Sequence, residues 1–478
     1  MTEVTRPFLP KGPEVGFMSP RLNVEDNTTP RATDKAWELA FKINVAITLV
    51  TALFLGRTGA DSLHVGDMYT EGEGRRLQGA AIVLFSPALF VAGVVGLGWA
   101  FGWGVLHLVM NFSKDILQVS ILILAGVWGV FAVSALAAER WLTWIFPAIM
   151  CAWCVHFYAM RQSRILFCSA NLKVAAIAVK SMPSTIHVAL LMSGVQALWV
   201  LTSAMAAAGS IAYFGSHRSL ACFWLVSLTW GSFVIQNVVS ATVIGSVASW
   251  WYSDQDASPV RGAMYRATHG SFGSLCKAAA VTTVVGLLVL VMRRLNKLGR
   301  FGNYLLTLLR RVVNYFLAYA ICFVAIYGLS FSEAGERVSE LFRRRGVTTI
   351  ANSRVVDVGL TAVILGASVC YVAAAYLLVV VVAGAVLRSS VLFGGMFGIV
   401  FYGYFLVTLV VATMLEVLRS SFQAVFVCFV QDPEALATNH GRQLFDDMSK
   451  AWDEMKAECP SGTVGDVGHG GEVGIQRN

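Results

Sequence analysis

Between residues 220 and 252 the sequence LACFWLVSLTWGSFVIQNVVSATVIGSVASWWY places Trp224, Trp230, Gln236, Asn237, Thr242, Trp250, Trp251 and Tyr252 in one long apolar run. An amide left unsatisfied in hydrocarbon costs several kcal/mol. Gln236 and Asn237 must therefore face another helix or a watered cavity rather than lipid. Two uses of that placement are open. In one, the carboxamides hydrogen-bond a neighbouring helix. In the other, indole and phenol faces hold a quaternary ammonium at roughly 0.5–2 kcal/mol per desolvated ring, and the amides bind a hydroxyl on the same guest. Trp250, Trp251 and Tyr252 lie at the end of the run, where such rings also serve as interfacial anchors, and anchoring is the expectation for that triplet.

Other chemistry is missing from the sequence. It has no P-loop, no His-Glu-x-x-His and no dinucleotide-binding glycine pattern between a strand and a helix, so an enzyme is not expected. The eight His residues are scattered singly, and Cys151-x-x-Cys154 sits in an apolar helix with no second pair to complete a metal site. No metal and no cofactor are expected. Asn27-Thr28-Thr29 and Asn111-Phe112-Ser113 match the glycosylation triplet but fall where cytoplasm or the membrane edge is expected. Gly98-x-x-x-Gly102 and Gly394-x-x-x-Gly398 suit close helix packing. Acids at membrane depth are scarce: Glu416 lies near the cytoplasmic end of the last span, and Asp115 and Glu38 lie close to span ends. A cation bound deep in the membrane would then keep its charge. Each charge crossing 100 mV gains about 2.3 kcal/mol, roughly 50-fold accumulation at equilibrium.

The elements that must position these groups are membrane helices. A spanning helix needs about 20 mainly apolar residues to cross roughly 30 Å of hydrocarbon. Runs of that kind fall at 36–55, 81–104, 115–138, 141–160, 184–208, 220–248, 271–292, 311–331, 356–387 and 391–416, which predicts ten spans. Segments 163–180 and 333–345 carry more charge and are expected to lie along the interface. Loop charge places both termini in the cytoplasm. The basic segment 293–311 conflicts with that placement, so either the charge rule fails there or 271–292 and 311–331 are re-entrant or bent.

Composition agrees with a lipid environment. The 478 residues are 56% hydrophobic and 13% charged, where a soluble chain carries about a quarter charged. The net charge of +8 is spread too thinly for nucleic acid and gathers in loops that would meet anionic lipid. The nine cysteines are odd in number and mostly inside apolar runs, unlike a secreted disulfide framework. The expected organisation is a cytoplasmic tail over 1–35, largely disordered and without a cleavable signal, a membrane domain over 36–430, and a cytoplasmic tail over 431–478. That last tail should be helical over 441–456 and disordered after about 459.

The segment TWGSFVIQNVVSATVIGSVASWWY resembles the signature helix of choline transporter-like proteins, with Trp230, Asn237, Thr242, Gly245 and Ala248 to Trp250 as the counterparts. The resemblance continues through Ser271-Phe272-Gly273-Ser274-Leu275, Asn314-Tyr315 and Ile326-Tyr327-Gly328. It ends at Val427-Cys428-Phe429-Val430-Gln431-Asp432-Pro433-Glu434, so it covers about 160–440. The first loop, 56–80, is short, a form that looks more like fungal and protist members, and Trp251 stands where the family usually has Tyr. The resemblance implies ten helices, a plasma or organellar membrane, and transport of choline, in some members ethanolamine, for phospholipid synthesis.

The expectation is therefore an all-α polytopic carrier of a small organic cation, choline or ethanolamine, facilitative or exchanging protons, working by alternating access in the plasma membrane. Its site should lie near mid-membrane beside the 220–250 helix, built from Trp230, Asn237, Gln236 and Tyr327, with Trp224, Trp199 and Tyr402 behind them. A non-transporting scaffold gripping lipid headgroups through Arg343, Arg344 and Arg345, and a channel, are the alternatives.

Overall fold

The computed structural model of the chain describes residues 34–62, 87–112, parts of 122–136, 145–160, 162–215, 218–252, 259–294, 299–345, Leu360, Ile364 and 391–458. Among these residues there are thirteen α-helices and no strand. In chain order they are α1 (Lys35–Ser62), α2 (Pro87–Asn111), α3 (Ile145–Met160), α4 (Gln162–Ser181), α5 (Ser184–Phe214), α6 (Arg218–Tyr252), α7 (Pro259–Tyr265), α8 (Phe272–Arg294), α9 (Gly299–Tyr327), α10 (Phe331–Arg345), α11 (Val391–Gln431), α12 (Glu434–His440) and α13 (Arg442–Glu458). A π turn, Arg266–Gly270, lies between α7 and α8.

Hydrocarbon offers the backbone no hydrogen-bond partners, so an apolar run of this length must pair its own N–H and C=O groups as a helix. Among the described residues six helices, α1, α5, α6, α8, α9 and α11, hold stretches long and apolar enough to cross a membrane. The chain is thus an all-α polytopic membrane protein. The expected spans at 81–104 and 141–160 fall on α2 and α3. Those at 115–138 and 356–387 lie largely outside the described residues, as do the 1–33 tail and everything after 458. α8 is unbroken over 23 residues, and α9 runs unbroken for 29 residues from Gly299 through most of the basic segment.

The bundle packs around α11. Of its most apolar stretch 83% is buried, against 28% for α1. Small residues set the closest approaches. A Cβ on Gly98 would stand 3.1 Å from Val410, and one on Gly102 would stand 2.9 Å from Met414 Cγ, so this glycine pair packs α2 against α11 within one chain. A Cβ on Gly209 would stand 2.1 Å from the Leu55 carbonyl oxygen, which seats α1 directly on the α5 backbone.

Two helices run on beyond the bundle. Asn237 of α6 donates to the Leu275 carbonyl, and Ser274 donates to Asp34, the residue before α1. The foot of α1 is therefore level with the middle of α6. From Asn237 to Tyr252 α6 continues for fifteen residues, about 22 Å at helical rise. Glu416 of α11 accepts from Ser240, and α11 likewise continues to Gln431, well past the expected end at 416. The protruding ends are wrapped by α4, α12 and α13. There Phe167 packs against Trp452 at 5.1 Å and against Phe426 at 6.3 Å, and Trp452 meets Phe429 at 5.9 Å between ring centroids.

This layer corrects two expectations. Segment 163–180, expected as an amphipathic helix facing the interface, is instead covered by protein. As part of α4 it buries Phe167, Leu172, Val174, Ala175 and Val179, because protein rather than lipid covers it. Its lysines reach outward, Lys173 to Asp447 at 3.3 Å and Lys180 to Asn111 at 2.8 Å. Trp250, Trp251 and Tyr252 are not lipid anchors either, since Trp251 is fully buried and Trp250 stacks on His440 at 3.7 Å. Segment 333–345, within α10, is amphipathic, with Ala334 and Val338 buried beneath Glu336 and Arg337. It starts on a reciprocal cap: Ser330 N donates to Glu333 Oε2, and Glu333 N donates to Ser330 Oγ. The helical reading of 441–456 matches α13.

Candidate functional site

Trp230 and Asn237 are two helical turns apart on α6, so they share a face. That face meets the first turns of α8. Trp230 Nε1 donates to the Cys276 carbonyl at 3.1 Å, and Asn237 Nδ2 donates to the Leu275 carbonyl at 3.1 Å. Just upstream, the π turn widens the backbone before Phe272, a geometry frequent at functional sites. Trp199 enters from α5. Its Nε1 donates to the Leu228 carbonyl at 3.2 Å, and its ring lies on Gly231, where a Cβ would stand 2.1 Å from Cε2. Both indoles are pinned to backbone, so their ring planes are fixed.

Between these rings stands Phe41 of α1. Its centroid is 5.5 Å from Trp230, 5.9 Å from Phe272 and 6.4 Å from Trp199. Four helices thus contribute one ring each to a cluster about 10 Å above the foot of α1, the rise of the seven residues from Asp34 to Phe41. Cys276, Val234 and Ala279 floor it.

Of the residues expected at the site, Trp199 and Trp230 come together here and Asn237 lies two turns along α6 from Trp230. Gln236 is half-buried beside Asn237, and among the described residues its amide has no hydrogen-bond partner. Trp224 lies apart, donating to Ser210 at 2.6 Å and packing with Ala52 and Ala206. Tyr327 also lies apart, at the end of α9, where its hydroxyl donates to Gln431 at 2.6 Å. Tyr402 is on α11, and its side chain falls outside the described part. Phe41 is not expected at the site from the sequence, and Phe272 enters there only within the Ser271–Leu275 motif, because a Phe in an apolar run carries no mark of which way it faces.

Two polar ties flank the cluster. One turn beyond Gln236, Ser240 Oγ donates to Glu416 Oε1 at 2.8 Å, and Arg419 Nη1 donates to Glu416 Oε2 at 3.1 Å. At the foot of α1, Asp34 Oδ2 accepts from Ser274 Oγ at 2.9 Å and from the Phe331 amide at 3.2 Å, while Oδ1 accepts from Lys277 Nζ at 3.1 Å. Lys277 also donates to Ser332. Asp34 adopts φ 53°, a left-handed conformation that non-glycine residues seldom hold, and it turns the carboxylate away from its own helix. Burial pushes the Asp34 carboxyl pKa up, but the bonds from Ser274, Phe331 and Lys277, with the Lys277 charge, outweigh it and hold the pKa below the ordinary value.

A third constellation closes the far end. Trp251 Nε1 donates to the Asp432 carbonyl at 3.1 Å, Asn439 Nδ2 donates to the Trp251 carbonyl at 3.0 Å, and His440 bonds the Trp250 carbonyl at 2.5 Å. Residues from 250–252, Tyr327 and 431–440, distant in sequence, meet here as structure.

Aromatic rings, carboxamides and interhelical polar ties enclosed by membrane-crossing helices define an integral membrane protein whose chemistry lies between its helices. Among the described residues no group of three His, Cys, Asp or Glu side chains could hold a metal. The family model described as plasma-membrane choline transporter matches residues 145–434, more than half the chain, and the chain belongs to this choline transporter-like family. A CTL-like protein of Dictyostelium discoideum is 29% identical over 70% of this chain and 61% of its own length. The protein PNS1 of Kluyveromyces lactis is 26% identical over 73% of this chain and 70% of its own. That of Saccharomyces cerevisiae is 29% identical over 44% and 46%. The chain thus spans about three fifths of the slime-mould relative's length.

Proposed function

We propose that this chain carries choline, and ethanolamine more weakly, across the plasma membrane by alternating access, with both termini in the cytoplasm. Family membership supports a transporter role. The observation that carries the substrate reading is the aromatic cluster. Trp199, Trp230 and Phe272 enter from three different helices, with both indole N–H groups already bonded to backbone, so the rings have their faces to offer and nothing else to satisfy. A quaternary ammonium asks only for such faces. Asn237 and Gln236, farther along α6, supply the amides that suit the hydroxyl end.

The nearest described carboxylate outside the Asp34 clasp, Glu38, is already paired with Lys42 at 2.6 Å, so the guest keeps its charge and the loaded carrier follows the membrane potential. Protons, where they take part, act as the exchanged ion rather than as a neutraliser of the guest. Radiolabelled choline uptake into proteoliposomes tests this. Uptake should saturate, which a pore would not, and should rise with an inside-negative potential. Trp230→Ala should lower uptake at limiting choline by roughly tenfold, the loss of one desolvated cation–π contact, and Asn237→Ala by less. Uptake of choline and ethanolamine equal to that of empty vesicles rejects the proposal.

A further inference from the structure

We infer that Phe41 is a plug that occupies the cation's place in the resting protein, and that Asp34 is the clasp that keeps it there; the substrate named rests on the function proposed above. The first support is geometric. A positive group standing where the Phe41 ring stands would lie 5.5, 5.9 and 6.4 Å from the Trp230, Phe272 and Trp199 centroids. The first two fall within the working range of cation–π attraction, about 6 Å, and the third lies just beyond it. A phenyl ring and a trimethylammonium group are both bulky and soft, and the cluster has room for one of them.

The second support is the contrast between walls and plug. The two indoles are tied to carbonyls of α6 and α8, and Trp199 is laid flat on Gly231. Phe41 has only apolar contacts among the described residues, and it rides on α1, whose most apolar stretch is 28% buried against 33% for α5 and α6 and 39% for α8. Moving the foot of α1, below its seat on α5 at Leu55 and Gly209, would vacate the cage while the indole–carbonyl bonds of the walls stay in place.

The third support is the foot of α1. Asp34 is seven residues before Phe41, immediately ahead of the first turn of α1. Its carboxylate gathers Ser274 and Lys277 of α8 and the first amide of α10. Lys277 stands 5.7 Å over the Phe331 ring, which keeps the clasp compact. One side chain thus holds the foot of α1 against two other helices while its backbone adopts a left-handed conformation. Release of those bonds frees α1 to swing and withdraw Phe41.

Cys276 supplies a native reporter. It is fully buried, packs in the same cluster as Phe41, and its carbonyl receives the Trp230 N–H. The full chain in liposomes is treated with the trimethylammonium-ethyl ester of methanethiosulfonate. The Cys276 thiolate attacks the sulfenyl sulfur, forms a mixed disulfide and releases methanesulfinate, and the mass of the Cys276 peptide gives the rate. The wild type should react slowly and Phe41→Ala much faster. Asp34→Asn should react about tenfold faster than wild type, the effect of losing an anchor the size of a helix cap on an opening equilibrium. Asp34→Asn leaves the cluster itself intact, so it answers even where Phe41→Ala fails to fold. Equal rates for Asp34→Asn and wild type overturn the clasp and plug, and do so whether or not the wild type transports choline. Faster labelling that choline and ethanolamine fail to slow leaves the plug standing and rejects the substrate.

Discussion

Phe41 and Phe54 are the same residue type in the same apolar run, yet Phe41 is 8% exposed and Phe54 is 77% exposed. Nothing in the local sequence separates them, because hydropathy records only that both avoid water. Trp199 and Trp230 could be placed at membrane depth from the sequence, and amide satisfaction correctly turned Asn237 inward, but the partner chosen was a backbone carbonyl. Gly231 offers a sharp check at this scale. The missing Cβ is what lets the Trp199 ring lie on α6, since an added one would stand 2.1 Å from Cε2. Gly231→Ala should destabilise the protein by about 1–3 kcal/mol, as overpacking does. It should also tilt the indole out of the cluster, so thermal unfolding in detergent moves down and choline affinity falls with it.

Among the helices, those that cross the bundle were legible because each presents a long apolar run, and their ends were less so. Residues 417–431 of α11 and the buried face of α4 pack on each other and on Trp452 of α13, and burial in protein leaves the same apolar mark as burial in lipid. The clasp between α1, α8 and α10 was invisible for another reason, since Asp34, Lys277 and Phe331 are far apart in the chain. Its pH behaviour is fixed by the depressed Asp34 pKa. A carboxylate held below its ordinary value stabilises its contacts above that value and loses them only as pH falls through the lowered one. The clasp should therefore stay closed from about pH 5 to 8. Any change in uptake across that window should be the same in wild type and Asp34→Asn; a pH profile that flattens in Asp34→Asn contradicts this account.

Taken whole, the molecule has two parts built on shared rods. One is a membrane bundle with the aromatic cluster; the other is a capping layer in which α4, α12 and α13 grip the prolonged ends of α6 and α11. Cutting the chain after Asp432 removes Leu436, Met448, Ala451 and Trp452 from the core and the Asn439 and His440 bonds from α6. At roughly 1.5–3 kcal/mol for each large side chain left without its partners, the loss rivals the entire stability of a domain, about 5–15 kcal/mol. The truncated protein should not elute as a single species from size exclusion, whereas one ending after Glu458 should.

The cap on α6 also sets a timetable for biogenesis. Trp250 and Trp251 leave the ribosome about 190 residues ahead of Asn439 and His440, which will cover them. At 5–20 residues per second, two indoles stay without their final partners for roughly 10–40 s. During that interval the nascent chain presents an uncovered aromatic helix end that the C-terminal helices only later bury.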